Sequence, residues 1–128
     1  MKKFLIVDDQ PAWINFNTQA VREILGNNVD IVTASSAQEA YNLLLENFSL
    51  PFDCIITDMQ MEDDYAPKMA GEWLIEQAKE IPPYFNAKII IISASMQSKQ
   101  IAENLGVEFL SKAVAVNSPE AYKTLLNT

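Results

Sequence analysis

Asp8, Asp9, Asp58, Ser93 and Lys112 are the residues of this chain whose types could do chemistry together. Each stands at or just past the end of a short apolar run: 4–7 before the acidic pair, 54–57 before Asp58, 88–92 before Ser93 and 108–110 shortly before Lys112. Three carboxylates brought to one place repel one another, and a hard dication that prefers oxygen ligands is the obvious neutraliser. Magnesium suits such a site because it accepts one or two carboxylates and keeps several waters. Adding one lysine and one hydroxyl makes the site suitable for a phosphoryl group, whose spread charge is stabilised by metal, cation and hydrogen-bond donor together. The chain contains no histidine, so any chemistry must run on carboxylates, hydroxyls, lysine and a bound ion.

Composition excludes several other classes. Nine basic residues against seventeen acidic ones give a net charge of −8 with no offsetting run of Lys or Arg, so the phosphate backbone of DNA or RNA is repelled. The apolar runs at 4–7 and 89–92 fall far short of the ~20 residues a membrane span needs, and no signal-peptide pattern is present. A soluble, cytoplasmic protein is expected. Cys54 is the single cysteine, which excludes an internal disulfide and a cysteine metal cluster and reads as a small core residue. With 128 residues the chain suits one compact domain over 1–128, with no second, output domain.

The elements that must position the reactive residues follow from hydrophobic patterning. Runs at 4–7, 29–33, 54–57, 88–92 and 108–110 read as strands. The first, third and fourth are apolar almost throughout, as in central strands covered on both faces; Asp30 and Glu108 mark the other two as nearer the edges. Between them lie helical patterns. The first runs from Pro11 through Trp13, Phe16, Ala20, Ile24 and Leu25 to a C-cap at Gly26. The second opens on the capping box Ser36-Ala37-Gln38-Glu39 and lines up Ala37, Ala40, Tyr41, Leu44, Leu45 and Phe48. Ala70, Trp73, Leu74 and Ala78 mark a third helix that stops before Pro82-Pro83. Ile101, Ala102 and Leu105 mark a short fourth ended by Gly106, and Ser118-Pro119 starts a fifth with Tyr122, Leu125 and Leu126 inward. Five alternations of strand and helix predict a doubly wound α/β fold of the flavodoxin-like kind, a parallel sheet of order 2-1-3-4-5 with helices on both faces. In such sheets ligands bind beyond the carboxyl ends of the strands where the order reverses, here between strands one and three.

With that frame in place, the sequence resembles the receiver domain of two-component response regulators over essentially its whole length. Phe-Leu-Ile-Val-Asp-Asp at 4–9 resembles the family's first strand with its acidic pair, and Ile-Ile-Thr-Asp-Met-Gln-Met at 55–61 the strand bearing the phosphorylated aspartate. Ile-Ile-Ser-Ala at 91–94 and Phe109-Leu110-Ser111-Lys112 are similar to its hydroxyl-plus-small and aromatic-to-lysine motifs. The resemblance implies that Asp58 is the phosphoacceptor, attacking phosphohistidine on a sensor kinase or phosphotransfer protein, or a small phosphodonor. It implies a Mg2+ ion held by Asp9, Asp58 and the backbone carbonyl of Gln60, with Asp8 acting through water. Lys112 would pair with Asp58 and then with a phosphoryl oxygen, Ser93 would donate to another, and Ala94 would leave the group accessible. Ser93 and Phe109 would form the switch, altering a surface of the fourth helix, fifth strand and fifth helix that a downstream protein reads. Such a chain assists its own phosphotransfer and dephosphorylation without being a turnover enzyme, and it is a monomer or a phosphorylation-dependent dimer.

Singly these residues have duller explanations: Asp8-Asp9 as a helix cap, Lys112 as a solvated charge, Ser93 as a satisfied hydroxyl, Phe109 as static core. Trp13, Trp73 and Tyr41 are assigned to packing. Three departures from the family pattern stand out. Ala113 follows Lys112 where the family has a proline in a cis bond, so a trans and differently shaped turn is expected. Glu62 replaces a proline and Gly71 comes late, which lengthens the 62–70 loop into what reads as an acidic surface loop. Phe109 replaces the commoner tyrosine. A receiver-like interaction module that acts without phosphorylation is the alternative. A flavin protein or haloacid-type phosphatase is disfavoured, because neither a phosphate-cradling loop follows strand one nor a second aspartate stands two places after Asp9 or Asp58.

Overall fold

The computed structural model describes residues 1–63 and 65–127; Asp64, in the loop singled out above, lies outside the described residues. Five parallel strands, β1 (Lys2–Val7), β2 (Val29–Ala34), β3 (Cys54–Thr57), β4 (Lys88–Ser93) and β5 (Glu108–Ser111), form one sheet in the order β2-β1-β3-β4-β5. Helices α1 (Pro11–Leu25), α2 (Ala37–Glu46), α3 (Ala70–Ala78), α4 (Gln97–Leu105), α5 (Lys112–Asn117) and α6 (Pro119–Leu126) cover it, and a 3-10 turn at Pro82–Tyr84 precedes β4. None of the helices in the described residues is long and apolar enough to cross a membrane.

Side chains alternate across a strand, and both alternating sets are apolar in the three central strands, which is why their sequences show no alternation. Leu5, Val7, Ile55, Ile89 and Ile91 pack with Ala37, Ala40 and Leu44 of α2, Leu74 and Ile75 of α3 and Ala102 of α4. Phe4, Ile6, Cys54, Ile56, Ile90 and Ile92 face the other way, against Val21 of α1, Ala115 of α5 and Tyr122 of α6. On that second side the Tyr122 hydroxyl donates to Asn17 Oδ1 at 2.8 Å, joining α6 to α1 inside the layer. Cys54 is buried as expected, and burial pushes its thiol up to about 12, which leaves it unreactive.

Two expectations need correction. Leu45 and Phe48 do not continue the buried stripe of α2 and are exposed. Leu45 lies about 100° round the helix from Leu44, and Phe48 falls beyond the end of α2 at Glu46, where helical spacing no longer applies. The structure also adds a helix, giving six among the described residues rather than five. The segment Lys112–Asn117 is α5, with Ser111 as its N-cap accepting from the Val114 N–H at 3.1 Å. Its signal was faint because it buries only Lys112 and Ala115 while Val114 and Val116 point outward. The Lys112–Ala113 peptide is trans, and the differently shaped turn is therefore a helix start.

Register levels the strand ends that carry the site. Val7 is paired with Ala34 on one side and Thr57 on the other, and one further step of the ladder is made by Asp8 N–H to Ala34 O at 3.1 Å and Asp58 N–H to Val7 O at 2.9 Å. Gly71, in the first turn of α3, packs directly on the backbone that follows. Its N–H donates to Met59 O at 3.0 Å, and a Cβ there would lie 2.2 Å from Asp58 O and 2.8 Å from Met59 Cα. Only glycine allows so close an approach. Gly71→Ala is expected to push α3 off β3 and destabilise the fold by about 1–3 kcal/mol, measured by denaturant unfolding. An unchanged midpoint would show that α3 can move away without cost.

Candidate functional site

Asp8 and Asp58 emerge side by side from β1 and β3, with Asp9 next to them. One carboxylate oxygen from each of the three can be chosen so that all lie within 4.8 Å of one another. Asp8 and Asp58 are buried, whereas Asp9 is exposed. Lys112, at the start of α5, reaches into this group from the β5 side. Its Nζ lies 3.2 Å from Asp8 Oδ2 and 3.4 Å from Asp58 Oδ2, so the single ammonium bridges two carboxylates rather than pairing with Asp58 alone. Main-chain donors complete the pairing: Gln10 N–H to Asp8 Oδ1 at 3.0 Å, and Met59 N–H to Asp58 Oδ1 at 2.8 Å.

One lysine does not offset burial and mutual repulsion. Burial, and then the neighbouring Asp8 charge, raise the Asp58 carboxyl from its usual 3.8 to about 6 against the pull of Lys112 and the Met59 N–H. Asp8 is raised too, chiefly by burial. The cluster is thus short of positive charge, and its donors are all carboxylate oxygens, the set that suits a hard dication.

The other candidates surround this centre. Ser93 is the last residue of β4, paired in register with Ser111, and is fully buried; Ala94 beside it is exposed. The Ser93 Oγ lies 3.0 Å from Ser98 Oγ and accepts from the Ser95 N–H at 3.2 Å. Phe109 is partly buried against the core on the α2–α3–α4 side of the sheet. Gln60 is exposed, two residues past Asp58 at the start of the loop.

Sequence reasoning missed three contributors. Trp13, assigned to packing alone, has its ring under the Lys112 ammonium, 4.9 Å from Nζ to centroid. Phe16 meets Trp13 edge-on at 5.0 Å, so the ring that supports the lysine is itself held. Helical spacing marks Trp13 as inward-facing but says nothing of what it meets across the sheet. Ser98 gave no signal, being one polar residue in a mostly polar helix start. Glu62, in the longer loop, caps α2 from a distance: its carboxylate accepts from Ala37 N–H at 2.9 Å and Gln38 N–H at 3.4 Å. Tyr65 stacks on Trp73 at 4.2 Å and 17°, so the described part of the loop is docked on both neighbouring helices rather than simply an acidic surface loop.

Comparison with known proteins agrees with this architecture. The family model of the response regulator receiver domain matches residues 4–118. No curated protein sequence matches. Among solved structures, the chain is similar to a response regulator receiver domain protein from Clostridium thermocellum, at 25% identity and a TM-score of 0.76, covering 99% of this chain and 92% of that one. It is also similar to the chemotaxis response regulator CheY4 of Vibrio cholerae, at 25% identity and a TM-score of 0.71, covering 99% and 94%. The phosphorylated cyanobacterial phytochrome response regulator RcpA shares the fold, at 20% identity and a TM-score of 0.78 over 97% and 90%. Five parallel strands in this order, the acidic cluster at their carboxyl edge and a family match over nearly the whole chain lead to one conclusion: the chain belongs to the response regulator receiver domains, signalling modules of two-component systems.

Proposed function

We propose that Asp58 accepts a phosphoryl group in a magnesium-dependent reaction and that the protein passes this signal on by protein contact. The observation that carries the reading is the buried Asp58 carboxylate, bridged through one ammonium to Asp8, with three carboxylate oxygens within 4.8 Å of one another. Asp58, Asp9 and the Gln60 carbonyl would hold the ion, with Asp8 acting through water. Bound there, magnesium would neutralise the cluster and the incoming phosphoryl oxygens.

This chain's own residues supply the rest. An oxygen of Asp58 attacks phosphorus while the bond to the donor's imidazole nitrogen or acyl oxygen breaks, and the leaving group departs with the electron pair. Lys112, whose ammonium rests over the Trp13 ring at the start of α5, exchanges part of its contact with Asp58 for a phosphoryl oxygen. Ser93 donates to a second phosphoryl oxygen. Exposed Ala94 leaves the approach open. The donor is a phosphohistidine on a sensor kinase or phosphotransfer protein, the kind of partner receiver domains use. The readout is the surface of α4, β5 and the two helices after it, with Phe109 following Ser93.

Incubation with magnesium and acetyl phosphate is expected to add one phosphoryl mass to the native chain and none to Asp58→Ala or to chelator-treated protein. A folded native chain that gains no mass would leave a phosphorylation-independent binding module as the better account. The nucleophile must be ionised, so at limiting magnesium the rate of uptake should fall as pH drops through about 6, and more magnesium should move that fall to lower pH. A pH-independent rate would count against Asp58 as the attacking group.

The same raised carboxyl predicts a stability effect of opposite sense. A folded-state pKa above the unfolded one means the folded chain binds the proton more tightly, so stability is lost as pH rises from about 4 to about 6 and stays lost above. Asp58→Asn is therefore expected to raise the Tm of magnesium-free protein at pH 7 by roughly 5–10 °C, read by calorimetry. Added magnesium should close most of that gap by stabilising the native chain alone.

A further inference from the structure

The Ser93 hydroxyl, which the reading above sends to a phosphoryl oxygen, already has a partner. Its Oγ lies 3.0 Å from the Ser98 Oγ, and both side chains are fully buried. It also accepts from the Ser95 N–H at 3.2 Å, and the Ser98 N–H donates to Ser95 O at 3.1 Å, so residues 93–98 form a tight knot between the end of β4 and the first turn of α4. A hydroxyl has one hydrogen to donate. Either serine can be the donor of the pair; where Ser93 is, it must give up that bond to hand its hydrogen to phosphate, and Ser98, wholly inside the core, then loses the partner the structure gives it.

We propose that Ser98 is a positioning residue: in the unphosphorylated protein its oxygen accepts the Ser93 hydrogen and so competes with the phosphoryl oxygen for it. The inference rests on Asp58 being the phosphoacceptor. Ser98 sits in the first turn of α4, and the same turn carries exposed Met96, Gln97 and Lys99 on its outer side. Loss of the serine pair leaves a buried hydroxyl that regains a partner by turning to a carbonyl of the preceding residues or by movement of this turn toward water, and either rearrangement falls on the first turn of α4. The exchange thus couples occupancy of the site to the position of α4 without requiring any movement of Phe109, and it sets a resting bias against the phosphorylated arrangement.

The test is calorimetric titration of beryllofluoride, a phosphoryl mimic, with magnesium, into the native chain, Ser98→Ala, Ser98→Cys, Ser93→Ala and the double variant S93A/S98A. Ser98→Cys keeps the core filled with a weaker hydrogen-bonding group, so the comparison stands even if the alanine variant folds poorly. Ser98→Ala and Ser98→Cys are expected to bind about two- to tenfold more tightly than the native chain, the worth of one hydrogen bond. The S93A/S98A pair should bind as Ser93→Ala does, because the effect runs through the Ser93 hydroxyl. In ligand-free Ser98→Ala, the Ser95 amide resonance should shift toward its position in the beryllofluoride complex of the native chain. Unchanged or weaker binding in both Ser98 variants overturns the proposal while leaving the phosphoacceptor reading intact, and so does equal tightening in the Ser93→Ala background. Native protein that binds no beryllofluoride overturns the phosphoacceptor reading, and this proposal with it.

Discussion

Two buried carboxylates, a third beside them and one ammonium between the first two make up the interaction on which the rest of this molecule depends. Left alone, like charges at this separation would drive the strand ends apart or force protonation. The protein holds them with main-chain geometry. Ladder bonds fix the levels of Asp8 and Asp58, and the missing side chain of Gly71 lets α3 press onto the Asp58–Met59 backbone. On the far side, the Ser111 cap starts a helix at the residue whose ammonium is needed, and Trp13 lies beneath that ammonium. The arrangement stays short of positive charge, which suits it to a dication, and burial followed by the Asp8 charge raises the Asp58 carboxyl to about 6.

Much of this was legible because a parallel sheet buried on both faces writes long apolar runs with polar residues at their ends. The runs of β1, β3 and β4 marked the central strands, and Asp8, Asp58 and Ser93 followed each of them at the carboxyl edge. Local chemistry was equally readable where it is self-contained, as with Ser36 accepting from the Glu39 N–H, or Gly106 ending α4 at a φ of 72°. What could not be read depends on contacts between segments distant in sequence. Trp13 and Lys112 are nearly a hundred positions apart, and nothing in either segment announces a ring under an ammonium. Glu62 looked like a surface acid where a proline was expected, yet it caps a helix 25 residues upstream. Gly71 seemed late by counting from Asp58, but counting measures chain length, whereas the requirement is close approach of backbones, and the longer loop delivers the glycine to that contact.

The two helical layers carry different parts of the work. Ser98 and Phe109 lie on the side of α2, α3 and α4, so the proposed hydroxyl exchange and any response of the aromatic fall in that layer. Lys112 and its support belong to the opposite layer of α1, α5 and α6, where Trp13, Phe16 and Tyr122 form a continuous aromatic row ending in the hydroxyl contact with Asn17. Closely packed interiors resist gradual deformation.

That division gives the protein two built-in optical probes. Trp13 lies against the ammonium in one layer, while Trp73 stacks on Tyr65 and touches Tyr41 in the other. Indole emission responds to nearby charge and to stacking, so the emission of one tryptophan follows events at the lysine and that of the other follows the docked loop. Replacing either indole with phenylalanine separates the two signals, and a single chain free of added dye can then report which layer moves first when the site is filled.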